Sequence, residues 1–196
     1  WILAIKIRLF YPKKHLYFWS HGWSGKESKL VGLIKKVFFK LANGVFLYGD
    51  YAKQLMEKKG FHSSRLFVIH NSLNHKEHIE IRKELKPSDI YSSYFNNNNP
   101  VLVFIGRLTA IKRLDMLIYA AKQMKDVGIP VNLVFVGDGV MHDNLAELVS
   151  SLGLNKFVWF YGACYDDYKN AELIYNADLC VAPGNVGLTA IHAMSF

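Results

Sequence analysis

The sequence predicts an α/β protein built on two parallel β-sheets. Short apolar runs alternate with longer amphipathic segments, the rhythm of strand–helix–strand units. The runs are apolar throughout rather than at every second position, as expected of strands covered on both faces. Charge then divides the chain. Residues 1–99 hold 17 Lys and Arg against 7 Asp and Glu, a net +10, whereas residues 100–196 hold 7 against 9, a net −2. A basic half is therefore joined to a mildly acidic half, which suggests two domains with different partners.

The first half reads as follows. Residues 1–11 are apolar with Lys6 and Arg8 and form a helix. Residues 16–20 (LYFWS) read as a buried strand, and a glycine-broken loop, 21–26, follows. Residues 28–42 form a helix with Leu30, Ile34, Val37, Phe38 and Leu41 on one face and Lys29, Lys36 and Lys40 on another. Residues 45–48 are a strand, 51–59 a helix ending at Gly60, and 66–70 a strand.

The stretch that follows breaks this pattern with charged sequence, Pro87 and the run Asn96 to Asn99. The expected organisation is a first domain over 1–82, a linker over 83–99 and a second domain over 100–196.

The rhythm returns with strands at 101–105, 131–136, 157–161 and 178–182. Helices follow them at 113–127, 141–152, 167–176 and from 187 onward. The chain of 196 residues opens on Trp1 and stops at Phe196 inside a helical pattern without a capping Gly or Asn. Both domains are therefore expected to be incomplete.

Composition excludes several classes. With 51% apolar and 20% charged residues, the chain is not disordered. No apolar run reaches the roughly 18 residues of a membrane span. Cys164 and Cys180 have no zinc spacing and read as reduced residues, so the expected location is cytoplasmic. His75 and His78 read as surface residues without a third ligand, and no metal site is expected. Gly137-Asp138-Gly139 opens like a dinucleotide fingerprint, but His142 stands where the third glycine belongs. Lys26 and Glu27 spoil the Walker and nucleophile-elbow readings of the first glycine-rich loop. No nucleic-acid motif accompanies the basic half, so no nucleic-acid partner is expected.

In an open α/β sheet a ligand sits beyond the carboxyl ends of the strands. There the second half places Gly106-Arg107, Lys112, Gly139, Ala163, Cys164, Gly184, Asn185, Gly187 and Leu188. Glycines permit close backbone approach. A helix opening at Gly187 offers amide groups to an anion. Each cation is worth about 4 kcal/mol against a phosphate about 4 Å away at an effective dielectric of about 20. The simplest ligand for this rim is a diphosphate. The other reading leaves turn glycines and solvated cations.

These residues resemble the family-4 glycosyltransferases, retaining enzymes of the GT-B type with two Rossmann-like domains. The likeness is carried by 104–113 (FIGRLTAIKR), 136–139 (VGDG), 160–162 (FYG), Ala177-Asp178 and 183–196 (PGNVGLTAIHAMSF), in the family's order and spacing. It implies that Arg107 and Lys112 bind the donor diphosphate and act in catalysis, with Gly187 and Leu188 holding the phosphate through their amides. It implies that Gly139, Ala163, Cys164 and His192 contact the nucleotide, that Gly184 and Asn185 face the sugar, and that His21 faces it from the other domain. The family signature, Glu with a second Glu eight positions on, is here Gly184 and His192. Gly184 has no side chain for a sugar, whereas His192 can still accept a hydrogen bond from ribose.

The function so implied is transfer of a sugar from a nucleoside-diphosphate sugar to a glycan or lipid-linked acceptor, in cell-surface polysaccharide synthesis. No cofactor is expected beyond the sugar nucleotide. The lost glutamates leave open a module that binds sugar nucleotides without turnover. The stripe of Lys29, Lys36 and Lys40 also leaves two readings open. It is a solvated helix face, or a peripheral seat on an anionic inner membrane face.

Overall fold

The computed structural model describes residues 1–70 and 73–196. It divides into two compact units, Trp1–Asn71 and Ser72–Phe196.

The first unit contains helix α1 (Ile2–Phe10), strand β1 (Tyr17–Ser20), α2 (Lys29–Lys40), β2 (Gly44–Leu47), α3 (Asp50–Lys58) and β3 (Leu66–Val68). The strands run parallel in the order β1-β2-β3. Ser28 starts α2, its Oγ accepting from the Val31 amide. Phe39 of α2 and Ala52 and Met56 of α3 pack on Val45, Leu47 and Leu66, and Trp23 closes the cluster.

Two expectations are corrected here. Strand β1 is not buried on both sides, since Tyr17 and Trp19 are exposed and only Phe18 meets the core. Successive strand residues point to opposite faces, and the uniformly apolar run hid that alternation. The apolar face of α2 is not its core face either. The helix turns Phe39 and Gly32 toward Trp23 and leaves Leu30, Leu33, Ile34 and Val37 exposed.

The second unit contains α4 (His75–Glu84), α5 (Ile90–Phe95), β4 (Val101–Ile105), α6 (Leu114–Asp126), β5 (Asn132–Val136), α7 (His142–Ser151), β6 (Val158–Gly162), α8 (Asp167–Tyr175), β7 (Leu179–Cys180) and α9 (Thr189–Ser195). Its sheet is parallel, in the order β6-β5-β4-β7. Strand β5 is buried along its whole length. Leu133 and Phe135 meet α6 and α7 on one face, and Val134 and Val136 meet α5 and α8 on the other.

The stretch 83–99 is not free of structure, because it contains α5. Tyr91 and Phe95 are buried on the sheet, and the Tyr91 hydroxyl donates to the Leu173 carbonyl at 2.6 Å. Burial pushes the Tyr91 phenol up. The Asn run makes a specific turn. Asn96 ends α5 in the left-handed conformation, and the Asn97 Oδ1 accepts from the Asn132 Nδ2 at 2.8 Å.

This topology locates the site. From β4 the chain steps outward through β5 to β6, then returns so that β7 pairs with the other side of β4. The direction reverses between β4 and β7, and ligand crevices in such sheets open at that reversal.

Candidate functional site

Two loops flank the reversal. One follows β4 and runs from Gly106 to Arg113, and the other follows β7 and leads into α9. They are tied together at several points. The Asn185 amide donates to the Ile111 carbonyl at 3.0 Å. The Lys112 Nζ donates to the carbonyls of Asn185 and, at 3.3 Å, Val186. A Cβ on Gly187 would stand 3.5 Å from the same ammonium. Lys112, Asn185 and Gly187 thus meet where the two loops adjoin. Arg107 lies exposed on the loop that leaves β4.

Thr189 was not singled out in the sequence, yet it anchors this crevice. It is buried, and its Oγ1 donates to the Ile105 carbonyl at 2.8 Å. The bond joins the first residue of α9 to the last residue of β4. Leu188 stands just before α9, and its carbonyl accepts from the Ile191 and His192 amides. The first-turn amides of any helix have no partner within it.

Gly184 is closed to a side chain. A Cβ there would collide with the Ile111 carbonyl oxygen and lie 2.8 Å from that of Lys112. Backbone from the facing loop occupies the space that a glutamate would need. The departure at this position is therefore a packing feature as well as a lost carboxylate.

The neighbouring loop after β5 is equally tight. A Cβ on Gly139 would lie 2.8 Å from the Leu108 carbonyl carbon, and one on Gly137 would lie 2.9 Å from that of Gly106. The Leu108 amide donates to the Asp138 carbonyl at 2.9 Å. The Gly137 amide donates to Gly162, which brings the loop after β6, with Ala163 and Cys164, alongside. The Cys164 carbonyl accepts from the Asn170 Nδ2 at 3.3 Å. Asp166 caps α8, its carboxylate accepting from the Lys169 amide at 3.0 Å.

His192 lies on α9 with its ring 5.6 Å from that of His78 on α4. His78 is only 4% exposed, which corrects its reading as a surface residue, and its Nδ1 is buried without a hydrogen-bond partner. The apolar flank of α4, with Ile81 also buried, turned it inward. Burial, and then the His78 ring, hold the His192 imidazole below its ordinary range, while Asp167 pulls it up.

In the first unit, His21 is exposed and its ring lies 4.6 Å from that of Tyr48. The loop after His21 is organised by Glu27, also not anticipated from sequence. The Glu27 carboxylate accepts from the Ser24 amide at 2.9 Å, the Ser24 hydroxyl and the Gly25 amide at 3.0 Å, and the Lys35 Nζ at 2.8 Å. Burial pushes this carboxyl up, but Lys35 and the Ser24 donors outweigh it and hold it at about 2. Lys35 also donates to the Gly22 carbonyl at 3.3 Å. A Glu three positions after a Ser, at a glycine turn, resembles the reach-back of a capping box.

Among the described residues no group of three or more His, Cys, Asp or Glu is placed to hold a metal ion. None of the described helices is long and apolar enough to cross a membrane.

Known proteins match this architecture. The family model described as glycosyl transferases group 1 matches residues 86–196. EpsD of Bacillus subtilis (strain 168), which carries a provisional glycosyltransferase name, is 33% identical over 104 residues, covering 52% of this chain and 26% of that protein. The GDP-mannose-dependent alpha-(1-6)-phosphatidylinositol dimannoside mannosyltransferase of Mycobacterium tuberculosis is 31% identical over 98 residues, covering 48% of this chain and 25% of the other. The crystal structure of Anabaena HepE with UDP superposes with a TM-score of 0.70 at 21% identity, covering 99% of this chain and 54% of that one. The matches thus span 26% and 25% of these two curated relatives, and 54% of the solved chain.

Proposed function

This chain belongs to the group 1 glycosyl transferases, and on that premise we propose that it transfers a hexosyl unit from a nucleoside-diphosphate sugar to a glycan or lipid-linked acceptor. The second unit is the donor side, and the first belongs to the acceptor side. The observation that carries this reading is the meeting of Lys112, Asn185 and Gly187 at the sheet reversal.

In the reaction the bond between the anomeric carbon and the diphosphate breaks, and an acceptor oxygen bonds to that carbon as its proton departs. Negative charge gathers on the leaving diphosphate. Arg107, Lys112 and the amides of Gly187 and Leu188 oppose that charge, a preorganised electrostatic contribution. Gly139, Ala163 and Cys164 border the nucleotide, and His192 accepts from its ribose. Asn185 lies nearest the sugar, and the backbone at Gly184 replaces a carboxylate contact. The role of His21 toward the sugar, the retaining stereochemistry and the assignment to family 4 rest on the sequence resemblance. No metal or cofactor enters this scheme.

Uridine diphosphate is the first donor nucleotide to try, because HepE was solved with UDP and with UDP-glucose. GDP-mannose is the second, from the name of the mycobacterial relative. The acceptor belongs to cell-surface polysaccharide or glycolipid synthesis. The enzyme works in the cytoplasm, and Lys29, Lys36 and Lys40 seat it on an anionic inner membrane face. A module that binds without turnover is not favoured for a member of this family.

The test is a panel of sugar nucleotides incubated with the protein, reading release of nucleoside diphosphate. One donor class should be turned over, and Arg107→Ala should suppress it. Tight nucleotide binding with no turnover of any donor would favour the binding module instead.

A further inference from the structure

Among the buried residues of α8, Asn170 alone is polar. It is 7% exposed and stands beside Ala171, Leu173 and Ile174. Its Nδ2 donates to the Cys164 carbonyl at 3.3 Å, and its Oδ1 is buried without a hydrogen-bond partner. A carbonyl partner requires the amide nitrogen, so the two ends of the carboxamide are assigned by that bond. An unpaired buried oxygen is a cost that leucine at this place would not carry. What asparagine supplies and leucine does not is the donor to Cys164.

The loop that receives this bond is anchored at both ends. Gly162, the last residue of β6, accepts from the Gly137 amide at 2.8 Å. Asp166 caps α8 through the Lys169 amide, and its carbonyl accepts from the Asn170 amide at 2.9 Å. Between these anchors Asn170 fixes the Cys164 carbonyl, and the Cys164 Sγ reaches the Asp166 carbonyl at 3.7 Å. The peptide from Cys164 to Tyr165 is trans. In a trans peptide the carbonyl and the following N–H point in opposite directions. With the Cys164 carbonyl held by α8, the Tyr165 amide is directed away from that helix.

We infer that Asn170 is a positioning residue that sets the class of nucleobase the protein accepts, by turning the Cys164 carbonyl inward so that this peptide offers an N–H donor to the base. The inference rests on the reading under Proposed function, in which Ala163 and Cys164 border the nucleotide. It adds the base class and the residue that selects it.

Uracil and guanine carry a keto oxygen where cytosine and adenine carry an amino group. A loop that presents a donor pairs with the keto oxygen, whereas an amino group there would face another N–H and leave both donors unpaired. Without the Asn170 donor the peptide is free to turn over. Its carbonyl can then accept from an amino group, and the discrimination is lost.

The test is calorimetric titration of the protein with UDP, CDP, GDP, ADP and inorganic pyrophosphate. It is repeated on Asn170→Leu and Asn170→Asp, which both remove the N–H donor, and on Tyr91→Phe. The last removes a different buried hydrogen bond to α8, the one to the Leu173 carbonyl, and controls for a general loosening of the helix. Thermal unfolding checks that each variant is folded. The parent protein should prefer UDP to CDP, or GDP to ADP, by about tenfold, and the Asn170 variants should lose that preference. Their affinity for pyrophosphate should stay unchanged, and Tyr91→Phe should keep the preference. A preference that survives in both Asn170 variants would overturn the inference. So would an equal loss for nucleotide and pyrophosphate, which would make Asn170 a structural residue only. A parent protein that binds pyrophosphate as tightly as any of the nucleotides, or that prefers the amino bases, would overturn the inference and leave the diphosphate site standing. Absence of binding to every diphosphate would overturn the donor-site reading and the inference with it.

Discussion

Lys112 grips the backbone of the loop that leads into α9, its Nζ donating to the Val186 carbonyl at 3.3 Å, one residue before Gly187. Its partners there are carbonyl oxygens, not a carboxylate. The side chain thereby ties the loop after β4 to the loop that leads into α9. Four consequences can be measured.

Thr189 holds the start of α9 to the end of β4 through its bond to the Ile105 carbonyl. Thr189→Val should cost about 1 kcal/mol of stability through the lost hydrogen bond. In the enzyme, the donor KM should rise with kcat little changed, because the loop loses its register without losing a charged group. Denaturant unfolding and steady-state kinetics read the two effects.

Restoring the signature at position 184 should fail. A Cβ there meets the backbone of Ile111 and Lys112, so Gly184→Ala should cost about 1–3 kcal/mol. Gly184→Glu should be no better and should not raise turnover. Thermal unfolding and donor hydrolysis check this, and a stable, faster Gly184→Glu would contradict the packing argument.

Glu27 should control the acid stability of the first unit. Its carboxyl is held at about 2 in the fold, against 4.5 for the free group. The unfolded chain therefore binds the proton more readily. The stabilisation is complete above 4.5 and is lost as pH falls toward 2. Glu27→Gln should cost about 1–3 kcal/mol at neutral pH, because the Ser24 and Gly25 donors lose a charged acceptor. It should also flatten the acid limb of the stability curve.

His192 should give a second, milder dependence. Burial and the His78 ring of α4 disfavour its protonation, and Asp167 at the start of α8 opposes them. The fold thus binds this proton less readily than the unfolded chain. Stability is unaffected by this group well above pH 6.5 and declines as pH falls below it. His192→Gln should reduce the loss of Tm between about pH 7.5 and pH 5.5.

Much of the second unit was legible in the sequence, because its central strand β5 is buried on both faces and its helices carry one clear apolar stripe. Strand β5 and helix α6 stand where the periodicity placed them. The rim residues were legible for the same reason, since loops after parallel strands gather at one sheet edge. What escaped depended on partners distant in sequence. The apolar periodicity of α2 is real, but periodicity does not say which side faces the core, and Phe39 with Trp23 decided that. The Asn run looked like linker because its order comes from Asn132, far along the chain. His78 looked exposed because a charged helix hides a single inward turn. The closure of Gly184 by the Ile111 carbonyl is backbone against backbone, which no side-chain pattern reports.

Calorimetric titration of the protein with UDP, GDP and the matching nucleosides, repeated on Arg107→Ala/Lys112→Ala, bears most directly on the proposed diphosphate cradle. One diphosphate should bind and its nucleoside should bind far more weakly, and the double variant should lose about a hundredfold or more in affinity. A double variant that binds the diphosphate as tightly as the parent protein would contradict the account.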